Sequence, residues 1–222
     1  MTESAVLLSA GLDSAVLAAS EARRGRVQPI YISAGLAWET GEREALSRLL
    51  DAAPFAGKVE PVAHLTFTVR DLYPASHWAL RGEPPGFDTP DEDVYLAGRN
   101  VILLSKAGIY CAQHGIARIA LGPLAGNPFP DATPEFFTAM ARALSLGLAH
   151  ALEIAAPLVT MHKADVVKLG AELGVPLELT LSCMNPSDGR HCGMCSKFRE
   201  RRDAFREAGV EDRTEYATPP VR

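Results

Sequence analysis

The chain has 222 residues, 47% hydrophobic and 22% charged, and its 27 acidic against 22 basic side chains leave a formal net charge of -5. That length and balance fit one globular core with at most a small appendage, and they exclude a general nucleic-acid surface, which needs excess Lys and Arg to displace counterions. No apolar run reaches the roughly 18 residues of a membrane helix and the N-terminus lacks a signal peptide's basic region, so a cytoplasmic protein acting on a small molecule is expected.

Residues 5–8 read as a short buried strand and residues 13–24 as a helix with Val16, Leu17 and Ala18 toward the core and Gly25 as its stop. A second strand at 27–33, a second helix at 39–53 and a third strand within 58–68 follow, the alternation of a parallel sheet with crossover helices. Residues 70–97 carry Pro74, Pro84, Pro85 and Pro90 without sustained periodicity, predicting a long loop with at most one short helix, of the kind used as a substrate lid. Then come a helix at 98–114, a strand at 117–121, and a helix at 133–148 capped by Thr133 with Pro134 in its first position. A fifth strand is expected at 154–159 and a helix at 163–173. From Ser182 the composition changes: three cysteines precede a charged helix at 197–208, so the chain divides into an α/β domain, 1–181, and an appendage, 182–222.

The first strand breaks into Ser9-Ala10-Gly11-Leu12-Asp13-Ser14 and re-enters an apolar helix. Such a turn aims backbone N–H groups and a positive helix end at one spot, favouring an anion there. Gly11 permits close approach, Ser9 and Ser14 offer hydroxyls, and Asp13 can cap the helix or help hold magnesium. A simple capped helix after a buried strand fits these residues equally well. Neither a P-loop nor a dinucleotide fingerprint is present.

Gly98-Arg99-Asn100 opens the helix after the long loop, where Arg99 can fork onto a phosphate and Asn100 can cap or meet a polar ligand edge. Phe129-Pro130-Asp131 follows the fourth strand, on the edge where doubly wound sheets bind ligands, and Asp131 can accept from a guanidine-like edge or close an ordinary turn. Lys163 stands at a positive helix end, an unfavourable place unless an anion is near, while Asp165 supports that helix start. His64, His77, His114 and His150 have no partner legible in the sequence.

Cys183, Cys192 and Cys195 offer three thiolates of a tetrahedral zinc site, whereas Cys111 reads as a small buried residue. Three ways of completing the site stand open: His191 or another histidine, a water, or no metal at all.

The SxGxDS stretch resembles the SGGxDS motif of the PP-loop ATP pyrophosphatases. AGRNVILLSKAGIYCAQ at 97–113, FPDATPEFFTAM at 129–140, PLVTMHKADVVKLG at 157–170 and SCMNPSDGRHCGMCSKFRERRDAFREAGV at 182–210 together resemble the 7-cyano-7-deazaguanine synthase branch of that group. The resemblance implies a doubly wound, parallel five-stranded sheet, ATP bound over Leu8, Ser9, Ala10, Gly11, Leu12, Asp13, Ser14, Ala15, Val16, Leu17 and Ala18 together with Arg99, Asn100 and Lys163, and adenine received by backbone near residues 31–35. Asp13, Ser14, Arg99 and Lys163 are its catalytic candidates, and Phe129 and Asp131 its substrate contacts. It further implies Mg2+, a structural Zn2+, 7-carboxy-7-deazaguanine and ammonia as substrates, and a homodimer. Three departures stand out: residues 124–128 replace the family's acidic and polar run, Phe198 occupies its fourth cysteine position, and Ala10 replaces a loop glycine. Ala10 is therefore expected to keep a negative φ or to carry roughly a kcal/mol or more of strain.

Overall fold

The computed structural model describes residues 3–218, so the first two residues and the last four of the appendage assigned to 182–222 lie outside the described residues. In chain order the elements are β1 (Ser4–Leu7), α1 (Leu12–Arg24), β2 (Val27–Ser33), α2 (Glu39–Leu50), β3 (Ala63–Thr66), α3 (Trp78–Arg81), α4 (Arg99–His114), β4 (Arg118–Ala120), α5 (Pro134–Leu148), β5 (Glu153–Ala155), α6 (Lys163–Leu173) and α7 (Ser196–Ala208). The five strands are parallel in the order β3-β2-β1-β4-β5, the doubly wound sheet expected. The chain leaves β1 in one direction for β2 and β3 and in the other for β4 and β5, which opens a crevice above the carboxyl ends of β1 and β4.

Each sheet face carries its own core. Leu8, Val16, Leu17, Tyr31, Leu46, Val166 and Val167 pack on one face, with α6 lying against both α1 and α7. Ala5, Ile30, Leu104, Cys111, Ile119 and Phe137 pack on the other, beneath α4 and α5. Cys111 is fully buried there, as expected of an inert small side chain. Thr133 caps α5 by accepting from the Phe136 N–H at 3.1 Å, and Asp165 accepts the His162 N–H at 3.0 Å to close the start of α6.

Three expectations change. The fifth strand is β5 at Glu153–Ala155, not 154–159, because Pro157 has no N–H for a ladder and the Val159 N–H turns back to the Ala156 carbonyl at 3.2 Å. Residues 70–97 are a packed wall rather than a free loop: Trp78 of α3 stacks on Trp38 at 5.7 Å, and Val69, Ala79, Val94 and Leu96 build a third cluster. The appendage has no separate core, since Cys183, Cys192, Cys195, Phe198 and Phe205 join the same cluster as α1. Arg201, fully buried, ties the tail down by donating to Thr180 Oγ1 at 2.9 Å, the Leu177 carbonyl at 2.8 Å and Thr214 Oγ1 at 2.7 Å, the dense bonding that a buried guanidinium requires.

Candidate active site

The turn between β1 and α1 is held by its own hydroxyls: Ser14 Oγ donates to the Gly11 carbonyl at 2.9 Å and accepts the Ser9 N–H at 3.4 Å, while Ser9 Oγ accepts the Gly11 N–H at 3.4 Å. No side chain caps α1 at Gly11, so its first-turn N–H groups remain as donors at the positive end of the helix. Ala10 sits at φ 62°, in the left-handed region rather than at the negative φ expected. The Leu181 N–H donates to its carbonyl at 2.9 Å and its methyl is fully buried, so the surroundings hold a conformation that costs an L-residue about 1–2 kcal/mol. Ala10→Gly removes that cost, loses about 0.8 kcal/mol of methyl burial and gains chain entropy in the unfolded state. Near-neutral stability in urea melts and pyrophosphate release equal to or above the parent are expected; a tenfold loss would mean that the methyl itself shapes the loop.

Ser9, Gly11, Leu12 and Asp13 line a cleft of about 610 Å³, bounded by Trp38, Trp78 and Leu96 from the wall, by Lys163 of α6 and by Lys197 and Glu200 of α7. A smaller cavity of about 300 Å³ adjoins it and reaches Leu8, Ser14, Tyr31, Ile32 and Asn100. Ser9, Gly11, Asp13, Glu42, Arg99 and Phe129 border both. Ala10, Ala15, Val16, Leu17 and Ala18 lie behind that lining, all five fully buried, and pack the loop and α1 onto the sheet.

Lys163 Nζ reaches across from α6 to Asp13 Oδ2 at 2.7 Å and Glu200 Oε1 at 3.2 Å. Burial works against its charge, but the two carboxylates outweigh it and hold its pKa above the ordinary lysine range. Glu200 is likewise disfavoured by burial, yet Lys163 and Lys197 pull its pKa down to about 2. Asp13 therefore does not cap α1; it holds the lysine over the turn, and its Oδ1 is buried without a partner.

Arg99, at the start of α4 behind a Gly98 of φ 74°, lines the cleft with a buried Nε that meets no acceptor. Asp131 is buried and turned to α4, accepting the Asn100 N–H at 3.0 Å while Asn100 Nδ2 donates to the Asp131 carbonyl at 2.9 Å. These bonds set the start of α4 and hold Asp131 beside Phe129, with Asn100 at the border of the smaller cavity. Phe129 does face the cleft, stacked on Tyr95 at 5.0 Å. Sequence reasoning missed Glu42, Glu200 and the Trp38–Trp78 pair, whose place follows only from elements distant in the chain.

The Sγ atoms of Cys183, Cys192 and Cys195 lie within 4.8 Å of one another, all buried. Cys183 Sγ accepts the Asn185 N–H at 3.3 Å and the Cys192 N–H at 3.2 Å, and Cys192 Sγ accepts the Met194 N–H at 3.4 Å, contacts that favour thiolates. One ion bonded at about 2.3 Å to each sulfur of a tetrahedron would set them roughly 3.8 Å apart, so the trio fits a single metal. His191 is not its fourth ligand: its Nε2 accepts the Ser182 N–H at 3.0 Å, and the ring falls outside the group. The Phe198 ring is buried against Tyr216 at 5.1 Å and Phe87 at 6.1 Å.

A family model described as queuosine biosynthesis protein QueC matches residues 3–209. The chain belongs to the QueC family. It is 36% identical over 231 residues to the 7-cyano-7-deazaguanine synthase of Methanopyrus kandleri, covering 97% of this chain and 99% of the relative. The synthase of Methanothrix thermoacetophila is 36% identical over 225 residues, again 97% and 99%. Among solved structures, a 4-thiouridine synthetase in complex with RNA and bound ATP superposes with a TM-score of 0.51 at 16% identity, over 93% of this chain and 52% of that one. The U34-tRNA thiolase NcsA of Methanococcus maripaludis, with its [4Fe-4S] cluster, gives 0.50 at 13% identity, over 94% and 72%. These two likenesses concern the fold alone. In this chain the β1–α1 turn, Arg99, Lys163 and Cys183 line one cleft, and residues 124–128 line it too.

Proposed function

We propose that this QueC-family protein converts 7-carboxy-7-deazaguanine and ammonia into 7-cyano-7-deazaguanine with ATP. The placing of two cations on the cleft beside the β1–α1 turn, Lys163 held there by Asp13 and Arg99 with a buried, unpartnered Nε, carries this reading, because both can meet the charge of a leaving pyrophosphate. A substrate carboxylate oxygen attacks the α-phosphorus of ATP and the bond to the bridging oxygen breaks. The first-turn N–H groups of α1, Lys163 and Arg99 then receive the charge of the departing pyrophosphate. Ammonia displaces AMP to give an amide, and a second adenylation, on the amide oxygen, lets AMP leave with that oxygen while both amide protons depart, forming the nitrile. Each step is a displacement at phosphorus or an acyl carbon, except the last, which is an elimination, so no covalent enzyme nucleophile is needed.

Asp13 Oδ1 has the chemistry to hold Mg2+, which would neutralise phosphate oxygens when bound. Zn2+ on Cys183, Cys192 and Cys195 would staple the segment before α7 to the cleft, and Lys197 and Glu200 with it. A homodimer, as the resemblance implies, would draw on the exposed apolar Val101 and Ile109 of α4 and Leu146 of α5. No helix among the described residues is long and apolar enough to cross a membrane, which is compatible with a cytoplasmic site of action.

Residues 124–128 favour one second reading, the same adenylation chemistry on another small acid. Pyrophosphate release from ATP and ammonium with 7-carboxy-7-deazaguanine, followed by mass spectrometry of the product, separates the two. Release with formation of the nitrile is expected; release only with a different acid would overturn the assignment of substrate.

A further inference from the structure

Ammonia reaches an enzyme in neutral water mostly as ammonium, which cannot attack an acyl carbon until it has lost a proton. A group in the cleft that takes that proton, close to the activated carboxyl and not already neutralised by a cation, would raise the supply of attacking amine. Most carboxylates around the cleft fail the second condition. Asp13 is held by Lys163, and Glu200 by Lys163 and Lys197. Asp131 faces the start of α4, and Asp203, on α7 at the edge of the cleft, pairs with Arg202 and Arg206. Glu39 is taken up at the end of β2, accepting from Ser33 Oγ at 2.5 Å and the Ala34 N–H at 2.6 Å.

Glu42, in the first turn of α2, meets both conditions. It borders the cleft and the smaller cavity alike, beside Ser9, Gly11 and Arg99, where a nucleotide's α-phosphate and an acceptor's carboxyl would meet. Its hydrogen-bond partners are neutral: Tyr31 Oη donates to Oε2 at 3.0 Å and the Trp38 side chain also donates to it, and among the described residues no Lys or Arg is seen in an ion pair with it. The charged and titratable groups facing it are Tyr31 from β2, Glu39 from its own helix and Arg99 from α4, with Arg43 acting on Tyr31. Burial pushes Glu42 up to about 7 and Glu39 adds to the rise, while Arg99, Tyr31 and Trp38 oppose it. A base is most effective when it titrates near the working pH.

Resting on the synthase activity proposed above, we infer that Glu42 is the base that deprotonates ammonium for attack on the adenylated carboxyl. One proton passes from nitrogen to the Glu42 carboxylate and out to the water of the cleft. The freed lone pair forms the C–N bond, the C–O bond to the AMP phosphate breaks with its electron pair on phosphate, and the second proton leaves nitrogen with the departing AMP. The products are the amide and AMP.

Glu42→Gln keeps the shape of the side chain and an acceptor for Tyr31. Three readouts test it at pH 7: amide formed with ammonium chloride, hydroxamate formed with hydroxylamine, and exchange of labelled pyrophosphate into ATP with the acid present and no amine. Hydroxylamine is a weak base, present unprotonated at this pH. The expected result is a loss of about 100-fold or more with ammonium, the lower range of general-base catalysis, with hydroxamate formation and exchange kept within about threefold. The parent's rate with ammonium should rise as pH climbs through about 7, whereas the variant should follow only the supply of free ammonia, so that the gap between them narrows as pH rises toward the range where ammonia is unprotonated. An unchanged ammonium rate would overturn the role, and so would an equal loss in all three readouts, which marks a structural carboxylate. Absence of exchange in the parent would instead overturn the proposed synthase activity, leaving the two failures distinguishable.

Discussion

Lys163→Met is expected to lower pyrophosphate release about 10²–10³-fold, the effect of removing one preorganised donor from a developing anion. On the proposed reading, in which the lysine meets the leaving pyrophosphate and not the base or ribose, the loss should fall on kcat more than on the KM for ATP. Asp13 and Glu200 lose their shared cation, but their side chains are 26% and 25% exposed and regain water, so the fold should survive. Acid unfolding gives a second check. Glu200 is held at about 2 against an ordinary 4.5, so its contribution to stability is full above about 4.5 and is lost as pH falls toward 2. In the variant Lys197 alone holds Glu200 down, and the acid midpoint should move to higher pH. Pyrophosphate release within tenfold of the parent would reduce Lys163 to a tether joining α6 to α1 and α7.

Lys163 was legible in the sequence because a cation at a helix N-terminus is a local anomaly, visible without any tertiary contact. Its second partner was not, since Glu200 reaches it only after the cysteine turn has folded α7 back over α6. The same difference runs through the fold. Alternating apolar runs and cap residues place β1, β2, α1, α5 and α6 closely, because periodicity and capping are local. The wall at 70–97 and the end of β5 depend on a distant tryptophan stack and on one proline. Glu42 looks like an ordinary surface acid of α2 until β2 brings Tyr31 against it and the wall closes over Trp38. Ala10 is a subtler case: the sequence identifies the turn but not the sign of φ, which the Leu181 contact and the buried methyl decide together. A change of composition at Ser182 looked like a domain boundary, yet the cysteines pack into the core of the sheet.

The cysteine trio supplies a prediction in which two effects of opposite sign separate cleanly. Phe198 lies in the first turn of α7, three residues after Cys195, a spacing that puts both on one side of the helix start. Phe198→Cys removes a ring buried against Tyr216 and Phe87, and the metal-free protein should lose about 3 kcal/mol to the cavity, near the lower end of large-to-small aromatic losses. A fourth thiolate should raise zinc affinity by at least about 10–100-fold, since even an outer-shell partner of a metal ligand contributes that much. With metal bound, the added affinity becomes folding free energy, about 1.4–2.7 kcal/mol for that range, and offsets most of the cavity. Thermal melts with and without a chelator should therefore move apart, the chelated variant melting below the parent and the zinc-loaded variant close to it. Phe198→Leu separates the causes, because it loses much of the ring contact but adds no donor: its chelated melt should also drop, and its zinc affinity should not rise. Equal zinc affinities in the cysteine and leucine variants, measured by competition against a chelator, would show that position 198 faces the aromatic cluster and not the metal.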